Sequence, residues 1–204
     1  MRTETKKLIS RALENSMGYR EYADLVAAMA SEKKTSGDIQ TQEMVHYTML
    51  NHQRMRRWER RIRLDEQEKN LLETLRTPYV WLVLTESWCG DAAPVLPVLQ
   101  AMAAATPFLD LRIVFRDQNP ELMDRFLTDN ARSIPKLLVV RPEEDFRVAA
   151  TWGPRPQEAR RMVNEYKALH GKLDAEFRET LQKWYNKDKG LAIKSELKAL
   201  LTLE

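Results

Sequence analysis

Cys89 is the only cysteine in a chain of 204 residues, and the residues around it give it a chemistry. Before it, Tyr79-Val80-Trp81-Leu82-Val83-Leu84 is an unbroken apolar run rich in β-formers, which predicts a buried strand. After it, Val95, Leu96, Leu99, Met102 and Ala103 recur at helical spacing. Cys89 therefore stands where a strand ends and a helix begins. The unpaired N–H groups and positive dipole end of a helix start favour thiolate over thiol. Asp91, negative and close by, opposes that effect. A lone thiolate can attack a disulfide, but only a thiol from outside can then release the mixed disulfide. The plainer reading is a buried, inert cysteine.

The flanking elements divide into two kinds. Helices are predicted over 6–15 and 19–33, separated by Ser16-Met17-Gly18, and a long helix runs from Thr41 to about Arg63. Along it Met44, Tyr47, Asn51, Met55, Trp58 and Ile62 form a packing stripe with one polar break, and Arg54, Arg56, Arg57, Arg60, Arg61 and Arg63 occupy other faces. A shorter helix follows over 65–75, with Asp65 as its cap. From Thr77 strands and helices alternate: strand 79–84, helix 91–104, strand 111–115, helix 120–129, strand 136–140, strand 146–152 and helix 157–170. That order places a parallel pair and an antiparallel hairpin in one sheet with helices on both faces. Amphipathic helices over 173–185 and 191–203 close the chain.

Composition narrows the function. The apolar fraction of 43% supports a real core, and the net charge of +3 on 31% charged residues argues against nucleic-acid binding by the chain as a whole. A single cysteine fits a reducing compartment, and the polar start Met1–Leu8 carries no apolar leader, so a cytoplasmic protein is expected. No apolar run is long enough for a membrane span. His46, His52 and His170 lack metal-ligand spacing, so no metal is expected. Arg54, Arg57 and Arg61 are candidates for binding an anion, although a run of charges on a long helix is more often a solvated face.

The βαβαββα order, with Trp88-Cys89-Gly90-Asp91 at its first strand-to-helix junction, resembles the thioredoxin superfamily. Pro97 within the next helix, Asp117-Gln118-Asn119-Pro120 after the second strand, and Ser133-Ile134-Pro135 before the third add to the likeness. The outer helices and the Cys-Gly-Asp-Ala motif are similar to a bacterial thioredoxin-like subgroup. The resemblance implies a thioredoxin-like α/β mixed sheet over 77–170, an N-terminal helical extension over 1–76 packed on it, and a C-terminal one over 171–204. It also implies a cis bond before Pro135, opposite a nucleophilic Cys89, in a groove shaped by Trp88, Gly90, Asp91, Ala92, Ile134 and Pro135.

The departures from the family pattern bear on function. Ala92 stands where a dithiol thioredoxin has its second cysteine. Val83 and Ile113 stand where the family's buried acid and its accompanying lysine are expected. The resemblance then implies exchange through one sulfur on a disulfide-bearing or thiol-modified protein or small thiol. No cofactor is expected beyond an external low-molecular-weight thiol as co-substrate. A non-catalytic binding or adaptor module on the same fold is the alternative. Oligomeric state is not legible.

Overall fold

A computed structural model describes residues 2–201. Four strands form the sheet's main body: β2 (Tyr79–Thr85), β3 (Leu109–Phe115), β4 (Lys136–Arg141) and β5 (Arg147–Trp152). A two-residue strand, β1 (Met17–Gly18), completes the order β1-β3-β2-β4-β5. β2 runs parallel to β3 and antiparallel to β4, and β4 and β5 form an antiparallel hairpin. This is the mixed sheet expected from the element order. Val83 lies opposite Ile113 on one side and Leu137 on the other, all three buried. The two positions where the family's acid and lysine are expected thus meet as an apolar pair.

The helices are α1 (Arg2–Glu14), α2 (Tyr19–Ser31), α3 (Gln42–Arg61), α4 (Glu66–Thr74), α5 (Ala92–Ala103), α6 (Pro120–Asp124), α7 (Gln157–His170), α8 (Ala175–Asp188) and α9 (Leu191–Leu201). Ten of the twelve residues of α5 are buried, so it is covered all round, with α3, α9 and β3 packed against it. Thr41 caps α3 by accepting from the Met44 N–H, and Asp65 with Glu68 forms a capping box at the start of α4. No described helix is long and apolar enough to cross a membrane.

Three sequence expectations are corrected. Ser16-Met17-Gly18 is not only a separator, because Met17 and Gly18 pair with Ile113 and Arg112. Two residues are too few to show a period, and the Arg112 guanidinium secures them by donating to the Ser16 hydroxyl and carbonyl. The helix expected over 120–129 stops at Asp124. Asp129 and Asn130 both take positive φ, and the turn they make pairs Thr128 with Ala131. In the tail, α8 starts at Ala175 behind an Asp174 cap and runs to Asp188, so the expected five-residue turn shrinks to Lys189-Gly190. The expected end of α9 at Leu203 lies outside the described residues.

Helices α4 and α9, which lie before and after the main strands in the sequence, are joined by a buried ion pair. Lys194 of α9 donates to Glu68 of α4 at 2.8 Å and to the Arg63 carbonyl at 3.0 Å, with both side chains almost wholly enclosed. Lys194→Met leaves Glu68 buried with only Lys198, 3.8 Å away, as a remaining cation. Urea denaturation should show a loss of ~3 kcal/mol, and adding Glu68→Gln should recover part of it. Full stability in the single variant would mean that α9 is not docked on α4 in solution.

Candidate functional site

The loop from β2 to α5 is held from below by residues of the N-terminal helices and the loop between them. Ser87 is fully enclosed. Its hydroxyl accepts from the Ser36 N–H at 2.9 Å and shares hydrogen bonds with the hydroxyls of Thr35 and Thr48. Its N–H donates to the Ser36 hydroxyl, and its carbonyl accepts from Asn51 of α3 at 2.9 Å. Glu86 accepts from the Ser36 hydroxyl and from the Asp117 N–H, while burial holds its carboxyl above the usual range. The polar break in the α3 stripe, Asn51, is therefore a clamp on the residue two before the cysteine.

Cys89 sits above this clamp, 7% exposed, and its thiol donates to the Ile134 carbonyl at 3.3 Å. The Ile134–Pro135 bond is cis, as the resemblance implies, and so is Gly153–Pro154. Gly153 has a φ of +110°, and a Cβ there would be driven into the Pro135 carbonyl oxygen, so only glycine fits the loop packed on that proline. Trp88 is half-buried beneath the Arg116 guanidinium, which lies 5.1 Å from its ring centre.

Helix α5 starts at Ala92, with Asp91 at its N-cap position. The Asp91 side chain does not cap the helix. Its buried carboxylate instead pairs with Arg155 at 2.6 Å and accepts from the Tyr185 hydroxyl at 3.1 Å. Gln182 of α8 donates to the Gly90 carbonyl at 3.0 Å. No local pattern in the sequence marks Arg155, and Tyr185 is the last residue of the tail helix expected over 173–185. Both are held against the motif that carries the cysteine.

The thiolate-favouring features of a helix start are present, and burial and a carboxylate act against them. The N–H groups of Ala92 and Asp91 and the charge of Arg155 do act to lower the Cys89 pKa. Burial and then the Asp91 carboxylate outweigh them, and the thiol is pushed up to about 12. Against a free cysteine at 9.0 that costs roughly 1,000-fold in thiolate at neutral pH. The more basic sulfur recovers roughly 16–32-fold as nucleophilicity, leaving a net slowing of roughly 30–60-fold.

A cleft of about 660 Å³ opens over Cys89 between α3, α8 and the Ile134 loop. Six basic side chains line it against three acidic ones. Arg155 pairs with Asp91 and Arg178 with Glu43, and Arg116 and Arg132 pair with Asp117 and Asp124. Among the described residues, Arg54 and Lys167 have no carboxylate within 4 Å. Arg54 bonds the Asn51 side-chain oxygen at 3.2 Å, and burial lowers its pKa. The three arginines considered for anions are thus divided: Arg54 joins the cysteine cleft, while Arg57 and Arg61 line a second cavity. No group of three or more potential metal-ligating side chains occurs among the described residues.

A thioredoxin family model matches residues 37–167. No curated protein matches. Among solved structures, an HIV epitope scaffold is 20% identical, with a TM-score of 0.57 over 91% of this chain and 98% of its own. A protein of unknown function from Pseudomonas aeruginosa is 19% identical, with a TM-score of 0.51 over 88% of this chain and 99% of its own. Both share the fold.

Asp91→Asn removes the second cause of the raised thiol pKa while keeping the side chain's size. The Cys89 pKa should fall from about 12, and alkylation at a fixed pH of about 8 should be faster than in the wild type. An unchanged rate–pH profile would show that the Asp91 charge does not act on the sulfur.

Proposed function

The chain belongs to the thioredoxin family, and from that premise we propose that it is a thioredoxin-fold binding protein whose Cys89 cleft takes a small acidic ligand without turnover. The observation that carries this reading is the state of the sulfur: enclosed, donating its proton to the Ile134 carbonyl, and beside a buried carboxylate. A nucleophile needs the opposite arrangement. The cleft has the volume of a small-molecule site, and its excess of basic side chains, with Arg54 and Lys167 free of carboxylate partners among the described residues, suits a carboxylate-bearing ligand. A partly buried guanidinium with no counter-ion gains more from an anion than a solvated one does.

Single-cysteine exchange is the second reading, favoured by the position of Cys89 across from the carbonyl before cis-Pro135. In that reading the Cys89 sulfur attacks a mixed disulfide R–S–S–R′ and forms Cys89–S–S–R. The S–S bond breaks, and R′–S⁻ leaves and takes up the proton that the thiol gave up. An outside thiol R″–SH then attacks the adduct, restoring the Cys89 thiol and releasing R–S–S–R″. The low-molecular-weight thiol is a co-substrate, and no bound cofactor takes part.

Calorimetric titration with citrate, succinate and glutamate at fixed ionic strength tests the binding reading. At least one should bind saturably to the wild type, at least fivefold more weakly to Arg54→Gln, and with unchanged affinity to Cys89→Ser. Absence of saturable binding by all three, or its loss in Cys89→Ser, would overturn it.

A further inference from the structure

A second cavity, of about 370 Å³, lies between α3 and the end of α8, lined by Arg57, Trp58, Arg61, Asn186 and Lys189. Three of its five lining residues are cations and none is acidic. Among the described residues none of the three has a carboxylate within 4 Å. Most other basic side chains near the Cys89 cleft do have such a partner, so the lack of one here is local.

The Arg57 guanidinium and the Lys189 backbone are held in place. Arg57 donates to the Asn186 side-chain oxygen at 3.0 Å, and its Nε is buried with no partner of its own. Lys189 is the left-handed residue that ends α8, and its N–H donates to the Tyr185 carbonyl. The next residue, Gly190, lies against Trp58 and Ile62 from the α3 side and Val98 of α5. A Cβ there would come within 3.0 Å of Val98, so the glycine lets the turn seat closely and brings Lys189 to the cavity mouth. Fixed donors bind an anion at lower entropic cost than free ones.

We infer that this cavity is a binding site for the phosphate or diphosphate group of a soluble small molecule, held by Arg57, Arg61 and Lys189 with Trp58 as an apolar wall. A single carboxylate neutralises only one of three charges, whereas a phosphate group is multiply charged and matches the planar donor forks of two arginines. The site is separate from the Cys89 cleft and does not depend on how that cleft is read.

Calorimetry with inorganic pyrophosphate and phosphate, in chloride buffer of matched ionic strength, tests this directly. Arg57 helps join α3 to α8, so the informative variants are Arg61→Gln and Lys189→Gln, whose side chains are exposed. The wild type should bind pyrophosphate saturably, and each variant should weaken binding at least fivefold, with an unchanged melting temperature in the absence of the anion. Heats no different from those of chloride, or saturable binding that both variants leave intact, would overturn the assignment.

Discussion

The Asp91 carboxylate is the constraint on which the rest of the site depends. It is charged, nearly enclosed and at the start of the most buried helix of the molecule, a placement that requires partners. Arg155, from the loop between β5 and α7, supplies the counter-charge, and Tyr185 of α8 supplies a hydrogen bond. Satisfying one buried charge thus draws two distant segments onto the cysteine motif and closes the cleft on the α8 side. After burial, the same charge is the second influence that raises the thiol pKa. A helix start would by itself lower the thiol pKa, but this one carries its own anion in a place that burial has already made unfavourable for a second.

A complementary constraint acts from the other side. The hydroxyls of Thr35, Ser36 and Thr48, the amide of Asn51 and the N–H groups of Ser36 and Asp117 hydrogen-bond the buried polar groups of Glu86 and Ser87. Such a network is stable only when nearly complete, because each unsatisfied member costs its full desolvation. The N-terminal helices are therefore part of the cysteine loop's foundation. Gripped in this way from α3 and α8, the loop is suited to presenting a fixed surface to a ligand, and the two basic cavities open along those same helices.

Much of the fold was legible because its signals are periodic. The apolar run of β2, the stripe of α3 and the strand–helix alternation after Thr77 each follow from burial on one face or on all faces. What escaped the sequence reading was pairing at a distance. Nothing local in Gly-Pro-Arg-Pro shows that Arg155 will meet Asp91, and Tyr185 reads as one more residue of an amphipathic tail. The anion candidates were visible as a cluster on α3, but helical geometry sends Arg54 towards one cavity and Arg57 and Arg61 towards another. Asn51 was the clue available in advance, since a polar residue in an apolar stripe must have a buried partner. The surroundings of the thiol were only half legible for the same reason: the helix start is a local feature, whereas the burial that opposes it comes from α3, α8 and the Ile134 loop closing over the site.

The proposed binding reading requires that folding make this sulfur less reactive. The direct measurement is the rate at which oxidised glutathione forms a mixed disulfide with Cys89 at pH 7, read by intact mass, in the native protein and in the urea-unfolded chain. The native thiol should react roughly 30–60-fold more slowly than the unfolded one. A native thiol that reacts as fast as the unfolded chain, or faster, would contradict it and make exchange through Cys89 the function of the fold.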